Sequence, residues 1–444
     1  MNNFLKISVS LFALTLFYSC SDSNTIQTKL EVDGGQIEGM AKGSLKQYLG
    51  IPYAAPPVGE LRWSPPQPLN PWSGVKDASV NSKICHQPKQ PTEFYDRGPD
   101  QSTMSEDCLT LNVWTRADTA EANLPVMVWM HGGALVWGSG SEYKGEELTK
   151  RDVILVTVNY RLGPFGFFAH QELSDENNGY SGNQGFRDQI AALEWVQANI
   201  SNFGGNPENV TIFGESAGSW SVNVLQASPL SRGLFHKVIG QSGARLLPLT
   251  HLTTAADYSD SALEHGLNLA QIISDKKNTS LDDLRDIPAE EIINKVEQDP
   301  VYSTTFDTLT IIDGEVLPEA ISAIFAKGKQ ANTPVLIGST ADEATTFDPK
   351  MLAPEFAQSL KYSELITTSI NQMIPKVDKK IFDYYPINNE EIAKESWINF
   401  TTDVMFTAPM QDWGSLMSTV DSQAYLYIWD HHPKVNGTTK FKAF

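Results

Sequence analysis

The hydrophobic positions of this chain fall into short unbroken runs separated by longer stretches with helical spacing. "LPVMVWM" at 124–130 and "VILVTVN" at 153–159 are continuous apolar runs, the pattern of strands buried on both faces. "DQIAALEWVQANI" at 188–200 places Ile190, Leu193, Val196 and Ile200 along one side of a helix, because a helix returns to the same face every three or four residues. Further strand-like runs are "VTIF" (210–213), "FHKVIGQS" (235–242), "TPVLIGS" (333–339) and "AYLYIWD" (424–430). Polar, helix-like stretches fill 251–300 and 348–422. Near the start, "IQTKLEV" and "QIEGM" alternate apolar and polar residues around Asp33-Gly34-Gly35, a hairpin signal. Residues 52–75 are rich in proline and predict a surface loop. Strand and helix in this alternation predict an α/β protein. Its central sheet is mainly parallel, with helices on both faces and helical insertions.

Composition narrows the class. Of 444 residues, 41% are hydrophobic and only 19% charged. That suits two or three average domains or one large α/β enzyme, with no disordered or fibrous bias. No linker-like segment divides the chain, so one domain is expected over 21–444. The net charge of −20 repels a phosphate backbone and sets nucleic acid aside as a partner. Its plain meaning is solubility.

The first twenty residues predict export. "ISVSLFALTLFYS" (7–19) is apolar but too short to span as a mature helix, and Lys6 precedes it. The run ends at Cys20 and polar "SDSN" follows, as in a bacterial lipoprotein signal. Phe17 and Tyr18 are bulky for that motif. The expectation is a signal peptide over 1–20, with a lipid on Cys20 as the membrane attachment; the alternative is an ordinary cleaved peptide. Cys85 and Cys108 remain. In an exported chain one leftover pair suggests a disulfide, against two separate buried thiols.

The chemistry is carried by "GESAG" at 214–218. A bare G-x-S-x-G is weak, but here "ENVTIF" enters as a strand and "SWSVNVLQ" leaves as a helix. That is the strand–turn–helix context of a nucleophile elbow at Ser216. Gly214 and Gly218 carry no side chains to clash in the turn. The helix start behind the serine aims N–H groups at developing negative charge. "HGGALVWGSG" (131–140) follows a predicted buried strand. A glycine-rich turn there can expose consecutive N–H groups, as an oxyanion hole requires.

Taken together the motifs resemble the type-B carboxylesterases, the α/β-hydrolase family that includes the cholinesterases. The matching stretches are "YLGIPYAAPPVGELRW", "SEDCLTLNVW", "HGGA", "VNYRLGPFGFF", "GNQGFRDQIAALEWV", "FGGNPENVTIFGESAGS" and "GSTADEATTF", in family order over about 30–433. The resemblance implies the α/β-hydrolase fold and a serine esterase acting on a small-molecule ester, with no cofactor or metal. It implies Ser216 as nucleophile, Gly133, Ala134 and Ala217 as oxyanion donors, and Glu343 as the acid. Asp342 is the fallback for that acid. Glu343 also suits the order Ser, then Asp/Glu, then His. Many members have glycine at the positions of Ala134 and Ala344. The resemblance pairs Cys85 with Cys108, Arg62 with Glu106, and Arg161 with Asp188. Trp137, Phe165 and Phe167 are candidates for the pocket wall and equally for the core.

The base is the open position. Topology nominates His431 or His432, after the last strand. The resemblance places a catalytic histidine further on, in a G-x-x-H segment, whereas this sequence reaches "GTTKFKAF". The expectation is a chain cut short, with its base encoded beyond residue 444 and His431 or His432 as the alternative. A rival reading of another class is a binding protein on a dead hydrolase scaffold, against which Ser216 and Glu343 are both present.

Overall fold

The computed structural model describes residues 26–89, 103–256, 260–299, 309–349, 359–373 and 377–431. Cys20 and His432 lie outside them. At the centre is a nine-stranded sheet. Its strands are β1 (Met40–Lys42), β2 (Leu45–Pro52), β3 (Thr110–Thr115), β4 (Leu124–Met130), β5 (Ile154–Val158), β6 (Gly205–Glu215), β7 (Lys237–Gln241), β8 (Val335–Thr340) and β9 (Ala424–Trp429). They lie in the order β1-β2-β3-β5-β4-β6-β7-β8-β9. Pairs from β1 to β5 are antiparallel, and from β5 through β9 all are parallel. Every residue of β3 and β5 is buried, as a two-sided cover requires.

The predicted hairpin forms outside this sheet, Lys29–Val32 against Gly35–Glu38. The chain then bends at Gly39 and supplies β1 to the main sheet. "VTIF" proves to be the middle of the 11-residue β6. Helices α1 (Gln184–Asn199) and α2 (Ala217–Ala227) pack onto the main core. Ile190, Leu193, Val196 and Ile200 are all buried there. The insertions hold α3 (Ala262–Ser274), α4 (Ala289–Gln298), α5 (Tyr362–Met373) and α6 (Glu390–Thr402), followed by α7 (Ala408–Leu416). The first pair builds a satellite core with Trp63, Phe165 and Phe168. α5 and α6 build another around Tyr362, Ile366 and Trp397.

β4 crosses over so that β5 and β6 flank it. Its C-terminal end therefore borders a topological switch, where open α/β sheets place their sites. Met130 pairs with Gly214, so the loops after β4 and β6 leave the sheet side by side. Strand order and connections are those of the α/β-hydrolase fold. At the far edge, Tyr425, Leu426, Ile428 and Trp429 of β9 are each more than half exposed.

Candidate active site

Ser216 sits between β6 and α2 with φ 54° and ψ −122°. A residue with a side chain adopts such a conformation at a cost of about 1–3 kcal/mol, and only where its surroundings force it. They do so here. The Ser216 N–H donates to Gln241 O at 2.9 Å, and its carbonyl accepts from Trp220 N at 3.0 Å. A methyl on Gly214 would fall 2.4 Å from the Gly218 carbonyl carbon, and one on Gly218 only 2.0 Å from Met130 O. Only bare backbone fits at either glycine.

The loop after β4 is equally constrained. Gly133, Ala134 and Leu135 follow one another with φ 99°, 56° and 64°. The Gly133 carbonyl accepts from Val136 N and Trp137 N at 2.9 and 2.8 Å. A methyl on Gly132 would lie 2.9 Å from Glu215 O and 3.4 Å from Ser216 Cβ, so this turn abuts the elbow. Among the described residues, no protein acceptor takes the N–H of Gly133, Ala134 or Ala217. Ala134 pays for its left-handed backbone where glycine would not.

Glu343 follows β8 and is 1% exposed. Its Oε1 accepts from Thr340 N at 2.7 Å, and the next residue's N–H donates to Thr402 Oγ1 at 3.1 Å. Burial pushes the Glu343 carboxyl upward from its ordinary pKa; hydrogen bonds from Ser242 and Thr340 pull it back, and the charge of Asp342 adds to the rise. Asp342 is more exposed and accepts instead from the Thr345 hydroxyl. The structure thus separates the two acids: Glu343 faces inward and Asp342 is turned to its own loop.

Three neighbours escaped the sequence reading. Glu215 is pushed up to about 7, first by burial and then by the charge of Glu343. Tyr427 of β9 is raised by burial, with a Gln241 hydrogen bond opposing and the charges of Glu343 and Glu215 adding. Ser242 hydrogen-bonds Glu343. Register explains the gathering: Glu215, Gln241, Gly338 and Tyr427 pair in succession across β6 to β9. Glu215 was visible inside "GESAG", and Ser242 at the end of the neighbouring strand. Tyr427 needed the register.

The described histidines have their contacts elsewhere, His265 of α3 beside the charge of Glu264. His131 Nδ1 lies 2.8 Å from Gly132 O. His236 accepts from Val210 N and His251 from Thr253 N. His86 packs on Phe165, His170 on Phe168 and His431 on Trp429. Among the described residues, no histidine ring nitrogen hydrogen-bonds the Ser216 hydroxyl.

The supporting contacts fall as the resemblance implied. Cys85 and Cys108 are bonded, with Cα atoms 5.1 Å apart. Arg62 pairs with Glu106 at 2.6 Å and buried Arg161 with Asp188 at 2.7 Å. Phe165 and Phe167 are core residues, packed on the Trp63 cluster and edge-on to Phe186 respectively. Trp137 closes the turn after β4 through its backbone N–H.

A mixed sheet, parallel from β5 to β9, with a strained serine at the elbow after β6 is the arrangement of an α/β-hydrolase. The family model described as carboxylesterase family matches residues 22–442. The chain is 38% identical to the para-nitrobenzyl esterase of Bacillus subtilis, over 90% of this chain and 78% of that protein. It is 36% identical to carboxylesterase 1D of Rattus norvegicus, over 92% and 75%. Among solved structures, a para-nitrobenzyl esterase superposes with TM-score 0.76 at 35% identity, covering 91% of this chain and 80% of the other. A Geobacillus stearothermophilus carboxylesterase gives 0.77 at 32% identity, covering 92% and 81%. The chain belongs to the carboxylesterase family and is a serine hydrolase of carboxylic esters.

Proposed function

We propose that Ser216 is the nucleophile of this esterase and Glu343 the acid that orients its base. The Ser216 hydroxyl attacks the acyl carbon, and its proton passes to a histidine held by Glu343. His131, His236 and His251 hold other partners, so on this reading none of those three is the base. The tetrahedral oxyanion is received by the N–H groups of Gly133, Ala134 and Ala217. Collapse expels the alcohol, which takes the proton from the imidazolium. Water then repeats the sequence on the acyl-enzyme and releases the acid. The observation that carries this reading is the strained Ser216 beside uncommitted backbone N–H groups. A dead binding scaffold would have no use for that strain. The test is turnover of a short-chain nitrophenyl ester by the full-length protein and by Ser216→Ala. The variant should keep only residual rates, and a variant at the parental rate would refute the assignment.

Residues 1–20 act, on this reading, as an export signal, with Cys20 lipidated and the enzyme held at the cell envelope. The support is the apolar run ending in cysteine. Radiolabelled palmitate should enter the parent and not Cys20→Ser. A mature terminus elsewhere than Cys20 would overturn it.

A further inference from the structure

His131 is a buried ionisable group beside the elbow that the reaction above does not use. Its ring is 1% exposed. It stacks on Tyr160 at a centroid distance of 4.3 Å and an interplanar angle of 17°. The Tyr160 hydroxyl donates to the His131 carbonyl at 2.8 Å. On the other side stands Gly138, where a methyl would fall 2.5 Å from the ring's Nδ1. Gly138 is itself held through both backbone groups by the Gln87 side chain, at 2.9 and 3.0 Å. The ring therefore occupies a fixed slot.

What it does there follows from one contact. Nδ1 lies 2.8 Å from the Gly132 carbonyl oxygen. A carbonyl only accepts, so Nδ1 carries the hydrogen. Burial lowers the ring's pKa to about 4, so at neutral pH the imidazole is uncharged and its single proton is this one. The Gly132 carbonyl and the Gly133 N–H belong to the same peptide. That peptide is trans and planar, so the two bonds point in opposite directions. Holding the oxygen aims the hydrogen.

We propose that His131 is a positioning residue for the oxyanion hole: its Nδ1–H grips the Gly132 carbonyl and so fixes the direction of the Gly133 N–H. This rests on the reading of Gly133 as an oxyanion donor. Without the grip, the flexible Gly132–Gly133 peptide can rotate and the donor loses its alignment. The interaction matters in the transition state, where negative charge sits on the oxygen, and little in the ground state.

Two variants separate this role from plain packing. His131→Phe keeps a flat ring on Tyr160 and deletes the donor. His131→Asn keeps an N–H near the Nδ1 position and deletes the stack. In the full-length protein, positioning predicts that His131→Phe lowers kcat about 10²-fold, the order seen when an oxyanion donor is lost. KM should stay within about twofold, and affinity for a trifluoromethyl ketone should fall by the same factor as kcat. His131→Asn should stay within about fivefold of the parental kcat despite a lower Tm. His131→Phe at the parental rate would overturn the proposal, as would a greater than fivefold loss in His131→Asn. The Asn variant decides alone if the Phe variant does not fold. Ser216→Ala is the control for the underlying reading. If it turns over normally, the site itself is misassigned; if it is inactive while His131→Phe is unimpaired, only the role of His131 falls.

Discussion

The charge of Glu343, in the loop after β8, reaches Glu215 at the end of β6 across the intervening β7. Glu343 is buried by its loop and held by Thr340, and its charge adds to the burial that lifts Glu215 to about 7. Two acids that feel each other's charge resist being ionised together.

This gives Glu215 a pH-dependent cost. Its folded pKa lies above the ordinary value of 4.5, so between about 4.5 and 7 the folded state binds more protons than the unfolded one. Stability therefore falls as pH rises through that window, by on the order of 3 kcal/mol. Glu215→Gln should match the parent at pH 4 and exceed it at pH 8 by up to that amount, read from urea melts at both values. A variant less stable at pH 8 would refute the linkage.

Backbone strain at Ser216 predicts a trade between stability and activity. Ser216→Gly removes both the hydroxyl and the steric cost of φ 54°. It should be more stable than Ser216→Ala by about 1 kcal/mol, with both inactive. Thermal melts of the pair give the comparison, and equal Tm values would place the strain elsewhere.

Glu343 and Asp342 are separable by substitution. Glu343→Gln should reduce kcat by roughly 10⁴, as loss of a triad acid does, without destabilising the fold. Asp342→Asn, which keeps an acceptor for the Thr345 hydroxyl and removes only a charge beside Glu343, should stay within about twofold. Steady-state kinetics on one nitrophenyl ester checks both, and a reversed order would exchange their roles.

The disulfide carries stability rather than chemistry. It closes a loop with 22 residues between Cys85 and Cys108, worth about 3 kcal/mol through chain entropy. Cys85→Ser with Cys108→Ser should lower unfolding stability by that order and leave kcat near parental in the folded fraction. A large loss of kcat at unchanged stability would contradict this.

The sheet was legible because its strands are unbroken apolar runs, and β4, β5, β7, β8 and β9 fall where those runs do. The elbow at Ser216 was legible because it requires glycines on both sides, and the turn at 131–140 because glycines follow a buried strand; the choice of Gly133 and Ala134 within that turn came from the family resemblance. Tyr427 was not, since its place depends on register across four strands, and register leaves no local mark. Glu215 was overlooked as the variable letter of its motif; its raised pKa comes first from burial and then from Glu343, 128 residues away in sequence. The contact of His131 with the Gly132 carbonyl was not legible, because nothing in the sequence tells which carbonyl a buried ring will hold. Phe165 and Phe167 were ambiguous for the same reason that aromatics suit cores and pockets alike.

The central claim is that Ser216 is the nucleophile. A fluorophosphonate probe with the full-length protein, read by intact mass and peptide mapping, tests it most directly. One adduct per chain, located on Ser216, absent from Ser216→Ala and slower to form in Glu343→Gln, is the predicted result. An adduct on a different serine, or ester turnover at the parental rate in Ser216→Ala, would contradict the account.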